Sequence, residues 1–232
     1  MPIYRIAELN VQYTPVSSVI AELSEPYRID DGAPVDIVAE VTQDDIKREY
    51  EYLPDSTEQT AEYTAIYRKL CTKVIDFNGF LFHSSTVVLD GEAYAFTALS
   101  GTGKSTHTRL WLEKFGQRAF IINDDKPIVR YVNGEYRIYG TPWSGKNNLN
   151  KNAYAPLKAV CFLHRGKENT ITKKTSSDAL TPLLSQVYRP HDESYTLKFL
   201  DELDRFLKTV RFYDLYCNIS LQAAEVAYNG MK

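Results

Sequence analysis

The spacing of apolar residues divides the chain into many short strands and a smaller number of helices. Residues 4–13 alternate between apolar and polar positions, which predicts one half-buried strand. Short, continuous apolar runs elsewhere are typical of strands that are buried on both faces. The other predicted strands are 36–41, 80–89, 92–98, 118–123, 128–132, 135–139, 157–163 and 210–217.

Apolar residues three and four positions apart predict the helices. Ser56 begins the first helix, because Ser56-x-x-Gln59 has the form of a capping box. In a later helix, 177–187, Leu180 faces inward and Pro182 lies in the first turn of the regular part, where a proline is tolerated. Helices are also predicted over 105–115, where Gly116 ends the helix, over 196–207, and as a short last helix after Ser220. Residues 43–52 fit either a helix or a loop.

Two dipeptides predict tight hairpins, Asp90-Gly91 and Asn133-Gly134. Hairpins join antiparallel strands, so the sheet is expected to be mixed rather than purely parallel. The expected fold class is α/β, leaning towards α+β, with a mixed β-sheet core and flanking helices. No linker separates residues 1–78 from residues 79–232. The strands and helix of 1–78 are therefore expected to form a small α+β appendage that packs on a core formed by 79–232.

Composition excludes several classes of function. The net charge of -3 over 232 residues gives no basic footprint for nucleic acid. No apolar run is long enough to span a membrane, and the first residues lack the apolar core of a signal peptide. The three cysteines, Cys71, Cys161 and Cys217, are scattered, which suits a reducing compartment. We therefore expect a cytoplasmic protein that binds neither nucleic acid nor membrane, and a homo-oligomer remains open.

The most informative stretch is residues 98–106, Ala-Leu-Ser-Gly-Thr-Gly-Lys-Ser-Thr, between a predicted strand and a predicted helix. It has the pattern of a P-loop, with Ala98 in place of the first glycine. The glycines let successive backbone N–H groups surround a phosphate. Lys104 brings a positive charge to the β- and γ-phosphates, and Ser105 offers a hydroxyl to Mg²⁺. The predicted nucleotide-binding residues are Ser100, Gly101, Thr102, Gly103, Lys104, Ser105 and Thr106. The alternative is a glycine-rich turn that only connects two elements.

A pair of acidic residues follows the next predicted strand. Asp124 and Asp125 lie about twenty residues after Lys104. We expect one of these carboxylates to hold Mg²⁺ and the other to accept the proton of an attacking hydroxyl. The alternative is structural, with Asp124 capping the turn and Asp125 solvated.

Four further residues each have two open interpretations. His83, on the strand that leads towards the P-loop hairpin, either touches the acid pair or a phosphate, or is a packed strand residue. Lys146, in the loop 140–146, either binds a phosphate or an acidic substrate, or is solvated. Trp143 in the same loop is a lid aromatic or a core anchor. For His107, just inside the P-loop helix, a position on the helix surface is favoured over a phosphate contact.

These residues resemble a known family. Residues 99–106 are similar to the nucleotide loop of ATP-dependent phosphoenolpyruvate carboxykinase, and Asn123-Asp-Asp125 resembles the paired-Asp motif of that family. The wider arrangement of His83, the Asp90-Gly91 hairpin, the loop and the acid pair resembles HPr kinase/phosphorylase and its smaller relatives. The resemblance covers roughly residues 80–165. It implies a carboxykinase/HPr kinase-like core, with Lys104 and Ser105 binding the triphosphate and Mg²⁺.

The resemblance also implies roles for the remaining site residues. Asp124 would be the base, Asp125 would lie near the metal, and His83 would match the histidine beside the base. Ala98 departs from the family pattern. The oxaloacetate-binding arginines of the carboxykinases and the Arg-Gly-Leu-Gly signature of the HPr kinases are absent, which argues against decarboxylation and against HPr as substrate.

The sequence therefore predicts an ATP- and Mg²⁺-dependent kinase-like phosphotransferase. Its acceptor would be a serine-type hydroxyl of a protein, a peptide or a small molecule. The catalytic set is Asp124, Asp125, His83 and Lys104, with Ser105 and Asp125 as metal ligands and Lys146 as a substrate contact. Two alternatives remain: a non-catalytic nucleotide-binding regulatory module, and a carboxykinase-like enzyme that acts on a small carboxylate.

Overall fold

The computed structural model describes residues 1–232 as thirteen strands and seven α-helices. The strands are β1 (Ile3–Ile6), β2 (Leu9–Gln12), β3 (Arg28–Ile29), β4 (Ile37–Val38), β5 (Gly79–Leu81), β6 (Ser85–Leu89), β7 (Glu92–Thr97), β8 (Ala119–Asn123), β9 (Ile128–Val132), β10 (Glu135–Tyr139), β11 (Tyr154–Arg165), β12 (Thr170–Lys174) and β13 (Arg211–Cys217). The helices are α1 (Ser18–Ser24), α2 (Gln43–Tyr52), α3 (Glu58–Lys73), α4 (Lys104–Phe115), α5 (Ser176–Leu184), α6 (Glu193–Thr209) and α7 (Leu221–Met231). No helix is both long enough and apolar enough to cross a membrane.

Nine strands form a mixed central sheet. Its order is β5-β9-β10-β11-β7-β6-β8, with β13 paired to β11 and β12 paired to β13. Strand β11 pairs in parallel with β7 and with β13, whereas the other pairs in this sheet are antiparallel. Both predicted hairpins are confirmed, because Asp90-Gly91 and Asn133-Gly134 all have positive φ. The protein is thus a mixed α/β fold, as the hairpins and buried strands indicate.

Helices cover both faces of the central sheet. Along β7, Ala93 and Ala95 face the core beneath α5 and α6, whereas Tyr94 and Phe96 face the core beneath α4 and α7. The alternation follows from the strand period of two, and it explains why β7 is apolar on both faces. The sheet therefore holds α4 rigidly on one face by burial of apolar side chains.

The strand order brings three separate segments to one edge of the sheet. Strands β7 and β8 both run antiparallel to β6, so they point in the same direction and their carboxyl ends lie together. The segment after β7 begins with Ala98, and the segment after β8 begins with Asp124. The amino end of β6 lies at the same edge, and His83 precedes it by two residues. Residues distant in sequence therefore meet at this edge.

A four-stranded sheet in the order β3-β1-β2-β4 belongs, with α1, α2 and α3, to the amino-terminal region. Its apolar side packs around Trp143, which is fully buried against Tyr13 and Tyr67. The indole Nε1 of Trp143 donates a hydrogen bond to the backbone oxygen of Tyr63 at 3.1 Å. Trp143 is therefore a core anchor rather than a lid. The division of the chain at residue 78 stays a prediction.

The single strand predicted over residues 4–13 is wrong. The structure has a hairpin there, and its turn residues Ala7 and Glu8 have φ of 53° and 61°. Neither residue type favours positive φ, so the sequence carries no turn signal. Contacts from the core sheet hold the turn instead: Arg130 Nη1 donates to the oxygen of Ala7 at 2.5 Å, and Tyr139 Oη donates to the carboxylate of Glu8 at 2.5 Å.

The continuous strand predicted over residues 80–89 is also interrupted. Strand β5 pairs with β9, whereas β6 pairs with β7 and β8, so the chain crosses between distant parts of the sheet. At the crossing, the backbone N–H of His83 donates to the oxygen of Gln186, and that of Ser84 donates to the oxygen of Asp125. These hydrogen bonds pair backbone N–H groups that have no partner in a β-sheet ladder. His83 therefore lies between two strands rather than within one.

The helix predictions need three corrections. Thr57 rather than Ser56 caps α3, because its hydroxyl accepts from the Thr60 N–H at 3.2 Å. Leu180 faces solvent, with 39% of its surface exposed. Pro182 lies inside α5 rather than in its first turn, since Thr175 caps a helix that begins at Ser176. Helix α1 and strands β3 and β12 have no counterpart among the predicted elements.

Candidate functional site

The glycine loop, residues 98–103, leaves β7 and leads directly into α4. Gly101 and Gly103 have φ of 77° and 120°, values that side-chain-bearing residues rarely adopt. No side chain caps the start of α4, so the amide groups of its first turn have no side-chain acceptor. Ala98 is compatible with this loop because its φ is not positive. The loop therefore exposes backbone donors at the positive end of a helix dipole.

Lys104 lies against the glycine loop. Its residue surface is only 8% exposed, and its Nζ donates to the backbone oxygen of Ala98 at 3.0 Å. Burial lowers the pKa of Lys104, and the negative charge of Asp125 opposes this effect. Lys104 forms no ion pair with a carboxylate, so its ammonium group keeps N–H donors available beside the loop.

Arg165 supports the glycine loop from the neighbouring parallel strand. It ends β11, and its guanidinium donates to the backbone oxygens of Gly101 at 2.6 Å and of Thr102 at 3.4 Å. Each peptide unit points its C=O and its N–H in opposite directions. The N–H paired with the Gly101 oxygen in this sense is that of Thr102, which donates to the backbone oxygen of Leu99 at 3.2 Å. The N–H paired with the Thr102 oxygen is that of Gly103, which has no backbone acceptor and belongs to a residue that lines the main cavity.

Asp124 is the buried member of the acid pair, with 3% of its surface exposed. Its Oδ1 accepts a hydrogen bond from the backbone N–H of Gly145 at 2.6 Å. A Cβ on Gly145 would lie 3.0–3.2 Å from this carboxylate, so a glycine allows the close approach. Burial raises the pKa of Asp124, the Gly145 bond opposes the rise, and the nearby charge of Asp125 adds to it.

Asp125 has a different environment. Its Oδ1 contacts Nε2 of His83 at 3.1 Å, and its Oδ2 pairs with Nζ of Lys126. Burial alone would raise the pKa of Asp125, but the bond from His83 and the charge of Lys126 outweigh it and lower the pKa to about 2. The two adjacent carboxylates thus have pKa values shifted in opposite directions, the pattern that separates acid–base roles in active sites.

One open cavity of about 770 Å³ joins these residues. The glycine loop, Lys104, Ser105 and Thr106 form one wall, and the acid pair with His83 and Lys126 forms the floor. The remaining wall comes from the amino-terminal region and from the loop 144–148. Its lining residues are Val19, Leu23, Gln59, Thr60, Tyr63, Ser144, Gly145, Lys146, Asn147 and Asn148. The volume lies in the range of sites that bind small molecules and cofactors.

All of the sequence-predicted site residues except Thr102 line this cavity. Lys146 is exposed at the rim of the cavity and makes no ion pair. His107 is not on the helix surface: it is 3% exposed, accepts a hydrogen bond from Trp111 Nε1 at 3.1 Å, and packs edge-on against Phe96. Burial lowers the pKa of His107 to about 4, so it is a neutral core residue. Thr102 does not line this cavity, although the other residues of the predicted nucleotide set do.

Sequence reasoning missed three contributors: Lys126, Arg165 and Tyr63. Lys126 directly follows the acid pair in the sequence, so a positive charge beside the two carboxylates could have been predicted. Arg165 ends a buried strand that runs parallel to β7, so its place beside the loop depends on the strand order. Tyr63 reaches the cavity only because the amino-terminal region packs on the loop around Trp143.

Comparisons with known proteins give little further information. No protein-family model matches the chain, and no curated protein matches it. Among solved structures, the chain is similar to the HPr(Ser) kinase/phosphatase from Coxiella burnetii, with 9% sequence identity and a TM-score of 0.38 over 65% of this chain and 95% of that chain. A likeness of this strength carries no conclusion about activity, which rests on the geometry of the cavity.

Proposed function

We propose that the protein is an ATP-dependent phosphotransferase that moves the γ-phosphoryl group of ATP to a hydroxyl, as in HPr kinase-like proteins. A single observation carries the proposal. One cavity is lined both by a glycine loop with its lysine and by the acid pair Asp124 and Asp125. An anion cradle alone would account for nucleotide binding. Phosphoryl transfer also requires a proton acceptor and a metal ligand. Two carboxylates whose pKa values are shifted in opposite directions lie beside that cradle and suit these two roles.

The loop residues fit a triphosphate. Two glycines in backbone conformations with positive φ leave open space where a side chain would stand, and a phosphate could occupy that space. Lys104 would contact the β- and γ-phosphates, and the first-turn amides of α4 would bind their oxygens. Arg165 would hold the loop in this binding conformation from behind.

The donor set also fits Mg²⁺, which prefers oxygen ligands. The hydroxyl of Ser105, in the first turn of α4, makes no hydrogen bond to protein, and the lowered pKa of Asp125 favours its negatively charged form. These two residues would hold the ion. A bound Mg²⁺ would neutralise charge on the β- and γ-phosphates.

Asp124 would accept the proton of the acceptor hydroxyl, since its raised pKa suits a base better than the lowered pKa of Asp125. The acceptor oxygen would form a bond to the γ-phosphorus while the bond to the β–γ bridging oxygen breaks. The bridging oxygen keeps the electron pair and leaves as part of ADP. His83 and Lys126 would fix Asp125 in place, because both contact its carboxylate.

This assignment modifies one implication of the family resemblance. The resemblance puts the histidine beside the base, yet His83 contacts Asp125 and not Asp124. In the proposed arrangement His83 therefore orients the metal-side carboxylate, and the base is held by the Gly145 N–H instead.

A phosphorus NMR experiment tests the proposed function. Mg²⁺ and ATP are incubated with the protein and a mixture of small hydroxyl compounds and an unfolded serine-rich polypeptide. We expect the γ-phosphate resonance to disappear and a phosphoester resonance to appear, and neither change with Lys104→Ala. Lys114→Ala, on the same helix, is the matched control and should behave like wild type.

Two results would contradict the proposal. Tight ATP binding with no loss of the γ-phosphate in any mixture would favour a non-catalytic regulatory module. Release of inorganic phosphate alone, at a rate that no acceptor changes, would indicate an ATPase.

A further inference from the structure

Part of the cavity lining belongs to the chain's own amino-terminal region. Gln59 and Tyr63 from α3, with Val19 and Leu23 from α1, line it. Trp143 fixes this wall, because its indole donates to the backbone oxygen of Tyr63 and its ring packs edge-on against the Tyr63 ring at 6.3 Å. The wall is therefore a built part of the fold rather than a loose flap.

Two polar groups on this wall have no protein partner. The hydroxyl of Tyr63 and the side-chain amide of Gln59 make no hydrogen bond within the protein, and both residues line the cavity. Burial raises the pKa of Tyr63, and the negative charges of Asp125 and Asp124 add to the rise. Tyr63 and the acid pair therefore line the same cavity, and the Tyr63 hydroxyl has no protein partner there.

Charge in this half of the cavity comes from one residue. Lys126 and His83 are engaged by Asp125, and Lys104 lies against the glycine loop. Lys146 forms no ion pair, and it is the one charged residue among those of this wall. An exposed ammonium that forms no ion pair beside a binding cavity attracts an anionic group of the ligand.

The cavity has room for a small acceptor. About 770 Å³ would hold a triphosphate, a metal ion and one further small compound. The amino-terminal wall lines the same cavity as the acid pair, so a small compound bound against this wall shares the cavity with Asp124.

We propose that the half of the cavity formed by Gln59, Tyr63 and Lys146 binds the phosphoryl acceptor, and that the acceptor is a small hydroxy acid. Lys146 binds its carboxylate, the Gln59 amide and the Tyr63 hydroxyl bind its polar groups, and its hydroxyl lies beside Asp124. This inference rests on the proposed function and names its acceptor class. The reaction then yields ADP and the phosphate monoester of the hydroxy acid, and the hydroxyl proton passes to Asp124.

Saturation-transfer NMR with Mg²⁺ and a non-hydrolysable ATP analogue tests the binding site without turnover. The probes are L-serine and glycerate as hydroxy acids, glycerol as a polyol without the acid, L-alanine as an acid without the hydroxyl, and an unfolded serine-rich polypeptide. We expect at least one hydroxy acid to bind, and more tightly than glycerol and L-alanine.

Two variants assign the contacts. Lys146→Met should weaken binding of the hydroxy acid about tenfold or more and leave affinity for the ATP analogue within about twofold. Tyr63→Phe keeps the ring packed on Trp143 and should weaken binding of the same compound about threefold to tenfold. Lys173→Met, which changes an exposed lysine of β12 without an ion pair, is the matched control and should have no effect.

The outcomes separate this inference from the proposed function. Phosphorylation of the polypeptide, with no binding of any hydroxy acid, would overturn the acceptor class and leave the kinase intact. Binding of a hydroxy acid that Lys146→Met does not weaken would overturn the site. Failure of the wild-type protein to bind the ATP analogue would instead overturn the proposed function.

Discussion

The two walls of the cavity are built in different ways. The glycine-loop wall is one contiguous segment, in which local rules of backbone conformation and helix termini fix the geometry. The amino-terminal wall combines α1 and α3 with the loop 144–148, and it holds together because Trp143 is buried between them. A local motif can be recognised in a sequence, whereas a wall made by long-range packing cannot. The chemistry proposed here needs both walls, with the acid pair between them.

The largest expected effect comes from the acid pair, where the two walls meet. Asp124→Asn removes a proton acceptor and keeps its shape, so phosphoryl transfer should fall by about 10²–10⁴-fold with little change in ATP affinity. Asp125→Asn should instead weaken Mg²⁺ binding, and excess Mg²⁺ should partly restore its activity. Steady-state rates and ATP binding, each measured across a Mg²⁺ titration, check both variants. Rescue of the Asp124 variant by Mg²⁺ would reverse the two roles.

Trp143 and Trp111 allow the stability of the two walls to be compared, because they are the two tryptophans of the chain and both are fully buried. Trp143→Ala should lower the free energy of unfolding by about 3–5 kcal/mol. Amide hydrogen exchange should rise mainly in α3 in this variant, whereas in Trp111→Ala it should rise mainly in α4. Denaturant unfolding and exchange mass spectrometry measure these effects. Equal loss of protection in both helices with either variant would show that the walls are not independent.

Acid should destabilise the glycine-loop wall through His107. Its folded-state pKa of about 4 lies below the ordinary value of 6.5, so the unfolded chain binds a proton first. The stability associated with neutral His107 is therefore complete above pH 6.5 and is lost as the pH falls towards 4, by about 3 kcal/mol.

Urea unfolding from pH 7 to pH 4.5 tests this prediction against His107→Gln. The variant should be less stable at pH 7, because its packing differs, but it should show a smaller decline with acid. Parallel pH profiles for the two proteins would show that other groups cause the acid sensitivity.

The smallest expected effect concerns Arg165, which supports the loop without lining the main cavity. Arg165→Met removes two donors to loop oxygens and should weaken ATP binding about threefold to tenfold, because a hydrogen bond contributes about 0.5–1.5 kcal/mol. Arg165→Lys should recover part of the loss. Titration calorimetry measures both, and unchanged affinity in the methionine variant would show that the loop keeps its conformation unaided.

Much of the fold was predictable where local signals agreed. The hairpins at Asp90-Gly91 and Asn133-Gly134 follow from residues that tolerate positive φ, and the loop before α4 follows from its glycines. The turn at Ala7 and Glu8 was not predictable, because distant side chains, Arg130 and Tyr139, hold it.

The candidate site was predictable in the same uneven way. Lys104, Asp124 and Asp125 stand next to recognisable elements, so their sequence positions indicate the site. His83 was placed within a strand, yet it reaches Asp125 because the strand is interrupted there. Tyr63 carried no signal, since its helix meets the cavity only through the packing of Trp143.

Titration calorimetry of ATP in the presence of Mg²⁺ tests the central claim most directly. Wild type and the control Lys114→Ala should bind ATP with equal affinity, whereas Lys104→Ala should lose tight binding. Its unfolding midpoint should stay close to that of wild type, because Lys104 forms no ion pair and its side chain makes one hydrogen bond, to the backbone oxygen of Ala98. ATP binding by Lys104→Ala with wild-type affinity, or no binding by wild type, would contradict the assignment of this cavity as the nucleotide site.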